Sequence, residues 1–508
     1  MKMPDPMIAL MTIIVASNSV RRRANVVVGP SRMAWEPPGE IRGKIRTESI
    51  SQDKAAAGPN RGYAPCIVPR LVKRLALLLS LLCLAAAGGS GAPAVTALRC
   101  GRLIDVETGK VLTDAVVLIQ GDRITAVGTG VRIPPGAKVI DLRRETVLPG
   151  LIDAHTHLLS NYDPRHDDQA NDRYFISMEP AQRQAVGAAM AREQLLAGFT
   201  TVRDLGNSGG TNDVALRNAI REGKVSGPRM VVSTRALAPP GGQVDPPDDK
   251  NRAFVEREYA EVSGVDEARQ AVRRAIVDGA DVIKIIIDAN SSLSPDEVKA
   301  IVDEAHKHRR KVAAHATTAE AVRIAAEAGV DSVEHAYTVT DDMLKLMAQK
   351  KIFLVPTDHP LDHYLPAPKG EVANWVQERL HDGAVALSVS GNRGRLARAV
   401  KLGVPIAAGS DNYYAVPGKT RGEAAADVFR AYADAGLKPL AILQAGTIRA
   451  AELLGWQDRV GSISRGKYAD LIAVAGDPLV DVKALESVGF VMQGGAVVKD
   501  AFHEKGRP

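Results

Sequence analysis

Residues 148–158 read LPGLIDAHTHL, an apolar run that opens on Pro-Gly and ends on two histidines one residue apart. A short, nearly continuous apolar run bounded by turn residues reads as a strand buried on both faces. In a strand, residues i and i+2 project from the same face, so His155 and His157 can reach one ion together. Taken alone, an H-x-H pair is as often a hydrogen-bonded core or surface pair as a ligand set.

The pattern recurs. From Val147 onward the runs VLPGLIDA, TTVRD, RMVVS, VIKIII, KVAAH, SVEHA, IFLVP and VPIAAG follow one another. Amphipathic helical stretches at Ala181–Ala197, Val265–Asp278, Pro295–His308 and Thr318–Ala328 lie among them. Eight strand-like runs with helices between them predict an α/β fold, a (β/α)8 TIM barrel over residues 147–454, in preference to an open sheet. On either side the style changes to short strands and tight turns. Val116–Ile119, Ile124–Val127 and Lys138–Asp141 precede the barrel, and GSISRGKYADLIAVAGD and GFVMQGGAVVKD follow Trp456. The two ends, residues 95–146 and 455–503, are therefore expected to build one small β-sandwich domain.

Further upstream, Arg70, Lys73 and Arg74 precede the apolar run Leu75–Ala87 and the small-residue stretch GGSGAPA. Basic start, short apolar core and small-residue site read in that order as a signal peptide over residues 70–94, with export to the periplasm or medium. The run is too short for a stable membrane anchor. Residues 1–69 have no sustained period and read as a misassigned start or a disordered extension.

Composition narrows the class. The chain is 45% hydrophobic and 24% charged, a globular balance. Its net charge of +6 is uneven: residues 1–74 hold 13 Lys+Arg against 5 Asp+Glu, leaving 52 against 54 for the rest. The folded part is nearly neutral, which gives no case for a nucleic-acid partner. Beyond the leader only Cys100 remains of three cysteines, so neither an internal disulfide nor a thiolate zinc site is available. Any metal must be held by His, carboxylate or lysine. The expected partner is a small-molecule or dipeptide substrate, and a homo-oligomer is compatible with the sequence.

Four more residues end strand-like runs. Lys284 sits inside DVIKIIID, where an ammonium is costly unless paired, neutral or chemically altered. His315 closes KVAAH, His335 stands in SVEH, and Asp411 ends VPIAAGSD. Each has an ordinary alternative: a lysine snorkelling to a carboxylate, a histidine bonded to a carbonyl, an aspartate capping a helix. The set changes the odds. All six fall at the ends of runs one, one, four, five, six and eight, the end of a barrel where catalytic groups gather. His166, His306, His308, His359, His363, His381 and His503 read as structural or solvated, with His166 and His363 within reach of a substrate.

With these residues in view the chain resembles the amidohydrolase superfamily over residues 95–503. LPGLIDAHTHL is similar to its first-strand signature, AGSD at 408–411 to its last. GTIRAAELLGW at 446–456, followed by GSISRGKYADLIAV, resembles the family's return into its small domain. The lysine on strand four, with VRDLGN, AHATT and VEHAY, is most similar to the imidazolonepropionase-like and Xaa-Pro dipeptidase (prolidase) branch. That branch includes dipeptidases and an ochratoxin-hydrolysing amidase. The resemblance implies two divalent ions, usually zinc. His155 and His157 would bind the more buried ion, His315 and His335 the more exposed one, and Lys284 would bridge both as a CO2-derived carbamate. Asp411 would bind the buried ion and carry protons. Relatives often have T-G-G-H-G-D after strand three where this chain has PPGGQVD, so Gln243 stands in place of a histidine expected to help with substrate.

The implied reaction is hydrolysis of an amide or peptide C–N bond, by a dipeptidase or an N-acyl amino acid amidase, with Asp411 moving the proton from water to the departing amine. A free substrate carboxylate would need an anchor, for which Arg203, Arg235 and Tyr337 are the candidates. The alternatives are a cyclic amide hydrolase or deaminase of the same superfamily, and a binding protein on a barrel scaffold. Lys284 argues against the first, and six intact positions against the second.

Overall fold

The computed structural model describes residues 94–161, 178–243, 249–288, 291–363 and 384–503. The expected extension and leader, His166 and His381 lie outside the described residues.

Both ends of the described chain meet in one sheet of seven strands. They are β1 (Val95–Ile104), β2 (Val111–Gln120), β3 (Arg123–Thr129), β4 (Lys138–Pro149), β14 (Leu471–Val474), β15 (Val488–Gln493) and β16 (Ala496–Asp500), in the order β16-β15-β14-β4-β1-β2-β3. The described strands of both ends thus form one sheet, and it curls. Beyond β3 the chain segment leading into β14 closes on it: Ile124 N–H donates to the Lys467 carbonyl at 3.0 Å and Gly466 N–H to that of Ile124 at 2.8 Å. Leu98, Val117, Ile124, Leu471 and Phe490, from five strands, consequently share one apolar cluster. That shared burial explains the alternating apolar positions in otherwise polar strands.

At Gly150 the sheet passes into the second region. A Cβ there would stand 2.1 Å from Thr200 Oγ1, so no larger residue fits the crossing. Beyond it, strands and helices alternate, and the strands are parallel. One arc is β5 (Leu151–Thr156), β6 (Phe199–Asp204) and β7 (Arg229–Val232). The other runs β13-β12-β11-β10-β8-β9, comprising Phe353–Val355, Ser332–His335, Lys311–Ala316, Val282–Ile286, Ala236–Ala238 and Tyr259–Glu261. Residues 404–408, the eighth apolar run, lie between the arcs. Ala407 N–H donates to the Leu354 carbonyl at 3.1 Å, and Ala154 N–H to that of Ala408 at 2.8 Å. Among the described residues no continuous ladder joins the arcs; the fold is TIM-barrel-like.

The helices begin where local sequence dictates. Pro295–Lys307 follows Ser294, whose hydroxyl accepts from Glu297 N–H while the Glu297 carboxylate takes the Ser294 N–H, and Pro295 supplies the first turn. Among the described residues no helix is long and apolar enough to cross a membrane.

Strand β10 shows how the site is aimed. Ile283 and Ile285 join the large apolar cluster with the helices, whereas Val282 joins the cluster of barrel-interior residues. With a period of two, Lys284 shares the face of Val282 and points inward. It does so beside Arg203, Ser332 and Glu334, all buried.

Candidate metal centre

His155 and His157 leave the end of β5 nearly inaccessible to solvent, with 1% and 6% exposure. His155 Nδ1 lies 2.8 Å from Glu334 Oε2, and His157 Nδ1 lies 2.9 Å from the Gly206 carbonyl. Both partners only accept, so each ring carries its proton on Nδ1. Their Nε2 atoms both face Asp411 Oδ1, at 3.3 Å from His155 and 3.0 Å from His157. Two neutral rings would then aim lone pairs at a carboxylate oxygen, which is repulsive unless a proton or a cation stands between. Burial, helped by the Lys284 charge, pushes His155 down to about 4, against protonation. His157 goes the other way: burial opposes its charge, but the Asp411 carboxylate outweighs that and raises it. The donor set therefore fits a cation between the two rings and the carboxylate.

Asp411 is placed by its backbone. It adopts φ 53°, a left-handed conformation costly for a residue with a side chain, and its N–H donates to the His155 carbonyl at 2.7 Å. Ser410 holds the turn from beneath: its N–H and Oγ–H bond Asp153 Oδ1 and Oδ2 at 2.9 and 2.6 Å. Gly409 is required because a Cβ would stand 2.8 Å from the His155 Cβ. Burial alone would raise the Asp411 pKa, but His155, His157 and His335 hold it well below the usual carboxylate range.

The second pair comes from the other arc. His315 ends β11 and His335 ends β12, their ring centroids 4.6 Å apart in an edge-on arrangement. His335 also has a left-handed backbone, φ 71°. Its Nδ1 lies 2.8 Å from Thr357 Oγ1, whose own proton goes to the Pro356 carbonyl at 2.7 Å. The Nδ1 of His335 is 3.8 Å from Asp411 Oδ2. Ligand atoms of His155, His335 and Asp411 all lie within 4.8 Å of one another, so residues from three strand ends converge on one point.

Lys284 is 3% exposed beneath them. Burial lowers its pKa to about 8, opposed by the Glu334 and Asp411 carboxylates. Its charge is felt in turn at His155, His315 and His335. A neutral amine is therefore accessible near neutral pH, the state from which carboxylation proceeds.

The four residues expected to contact substrate fall into two groups. Gln243 Nε2 lies 3.3 Å from His315 Nε2, and Tyr259 O–H donates to Gln243 Oε1 at 3.3 Å. Tyr337 stacks on His335 with its hydroxyl 3.4 Å from Nδ1. Arg203, by contrast, is 1% exposed in the barrel interior. Its guanidinium bonds the Ala154 carbonyl, Ser332 Oγ at 3.0 Å and Glu334 Oε1 at 2.9 Å, leaving it no geometry for a substrate carboxylate. Arg235 donates to the Glu256 carbonyl at 3.2 Å.

Sequence reasoning passed over several residues. Glu334 was hidden because neighbours in a regular strand face opposite sides, so an inward His335 implied an outward Glu334; the left-handed turn at His335 brings both inward. His359, read as structural or solvated, is buried, with Nε2–H donating to the Ser410 carbonyl at 2.7 Å. His363 is buried as well, bonded to Asp427 at 2.8 Å. Arg395 is buried against the His335 carbonyl and bonds Asp358 at 2.5 Å, which pins the His335 turn. His306, His308 and His503 pair with nearby carboxylates away from the site.

The chain is similar to known proteins over most of its length. The model of the amidohydrolase family matches residues 146–499. Ochratoxinase from Aspergillus niger is 29% identical over 444 residues, covering 80% of this chain and 87% of that one. An imidazolonepropionase from Streptococcus gordonii is 26% identical over 405 residues, covering 72% and 85%. The crystal structure of a Xaa-Pro dipeptidase with bound methionine in the active site matches with TM-score 0.68 and 30% identity, over 80% of this chain and 99% of that one.

Proposed function

The chain belongs to the amidohydrolase family, in its imidazolonepropionase and prolidase-like branch, and from that premise we propose a binuclear dipeptidase or N-acyl amino acid amidase. It is an enzyme that hydrolyses C–N bonds. The observation that carries the finer reading is the convergence of His155, His335 and Asp411 at the ends of three strands, above a buried lysine.

His155, His157 and Asp411 would hold one divalent ion and His315 with His335 the other, with Lys284 as a carbamate between them; zinc suits these nitrogen and oxygen donors. Bound there, the ions would activate a water at neutral pH and polarise the scissile carbonyl. The chain's own residues do the rest. Asp411, ionised at neutral pH, accepts the proton of the attacking water as the new C–O bond forms. It returns that proton to the nitrogen as the C–N bond breaks, because an amine cannot leave as an anion. Gln243 and Tyr337, on the His315 and His335 side, would orient the acyl or carboxylate part of the substrate.

The same reading takes β5, β6, β7, β10, β11, β12, β13 and residues 404–408 as one eight-stranded barrel, with β8 and β9 as additions to it, and the curled terminal sheet as its sandwich companion. The Leu75–Ala87 run between basic and small residues supports export, which cell fractionation would test. For the activity, zinc-loaded protein should release free amines from a panel of dipeptides and N-acyl amino acids. Opening of imidazolone or lactam rings with no action on that panel would replace this reading with the cyclic-amide one.

A further inference from the structure

Arg203, Ser332 and Glu334 form a chain of charge in the least accessible part of the barrel. Glu334 is 0% exposed. One of its oxygens faces His155 Nδ1 at 2.8 Å; the other takes Arg203 Nη2–H at 2.9 Å and the Ser332 hydroxyl at 2.5 Å. Arg203 reaches back from β6 to the Ala154 carbonyl, the residue before His155. The group thereby spans β5 and β6 of one arc and β12 of the other.

A buried ion pair is a poor way to gain stability. Removing two charges from water offsets most of their attraction, and apolar replacements are often neutral or better. Its position suggests a different use. Of the other candidate metal ligands, His157 turns its Nδ1 to the Gly206 carbonyl and His335 to the Thr357 hydroxyl, both neutral. Of these three, His155 alone has a carboxylate within hydrogen-bond distance of Nδ1, one that two further donors hold in place. A carboxylate on Nδ1–H fixes the tautomer, orients the ring and makes the opposite nitrogen a stronger donor.

We propose that Arg203, Ser332 and Glu334 are a positioning relay acting through His155, and that it sets the affinity of the inner ion without affecting the outer one. The inner ion is the one bounded by His155, His157 and Asp411; the proposal rests on reading the site as a two-ion centre.

Chelator competition measures zinc affinity at each site in wild type, Glu334→Gln, Arg203→Met and the double variant, with melting of the metal-free proteins alongside. Glu334→Gln should weaken one ion about 10–100-fold and leave the other unchanged. Arg203→Met should weaken the same ion, and the double variant should be no weaker than Glu334→Gln alone, because Arg203 acts through Glu334. A fall in melting temperature with both affinities intact would make the group a fold strut and overturn the proposal, as would equal weakening of both ions. Should Arg203→Met fail to fold, Ser332→Ala removes a single bond to Glu334 and should still weaken the inner ion several-fold; no change overturns the relay. A wild-type protein that binds one ion defeats the two-ion reading, and the relay is then judged on that ion.

Discussion

The two halves of the site are built from different materials. The inner half, His155, His157 and Asp411, stands on Glu334, Arg203 and Asp153, ionisable groups buried to 1% exposure or less. The outer half, His315 and His335, meets neutral groups at its rings, a threonine hydroxyl, a tyrosine and a glutamine amide, while the buried Arg395–Asp358 pair holds the His335 backbone. Charged supports in a dry interior are costly and stiff; neutral supports on strand-end loops are cheaper and adjustable. This division suits an enzyme whose proton chemistry stays fixed while its substrate side varies.

The largest effect should come from the inner half. Asp411→Asn keeps the size of the side chain but removes the proton acceptor, and should lower turnover roughly 10²–10⁴-fold with the fold intact. Near-normal turnover would remove Asp411 from the chemistry.

Metal-free protein should register the strain of the interior in its pH dependence. Lys284 is depressed from 10.5 to about 8, so between those values the unfolded chain binds a proton that the folded chain does not. Stability should therefore rise with pH across that window, and the penalty should be complete below it. Denaturant titrations of wild type and Lys284→Met would compare the slopes; equal slopes would mean that the amine is not held in a depressed state.

Thr357→Val tests the outer half. It deletes the acceptor for His335 Nδ1–H, a neutral hydrogen bond of about 0.5–1.5 kcal/mol, and should weaken zinc by no more than about tenfold on that scale. A loss larger than that of Glu334→Gln would invert the contrast between the halves. Smallest of all, Tyr259→Phe frees the Gln243 amide to turn, and should raise KM a few-fold (~0.5–1 kcal/mol) with kcat unchanged. A fall in kcat without a change in KM would place the pair in the reaction itself.

The sequence revealed the halves unequally. His155, His335 and Asp411, whose ligand atoms converge, were marked by their places at the ends of apolar runs, and the alternation of strands and helices carries such ends to one face. Helices matched closely, Val265–Val277 and Pro295–Lys307 within a residue of expectation, because their amphipathic period sets their extent and, at Ser294, a capping box marks the start. The supports were not legible. Arg203 in TTVRD looked like a substrate anchor, since nothing in one strand announces that its partner is Glu334, 131 residues away. Left-handed backbone at His335 and Asp411 is likewise set by packing around the turns, not by a glycine that could be read in advance.

In the proposed two-ion centre Lys284 would join the halves, and its chemical state tests the account most directly. Protein stripped of metal would be reloaded with zinc in buffer containing 13C-labelled bicarbonate and, in parallel, in buffer purged of CO2. Two ions per chain, activity and a 13C carbamate resonance absent from Lys284→Ala are expected in the first buffer, with incomplete loading in the second. Full loading and activity without CO2, and no carbamate signal, would contradict it.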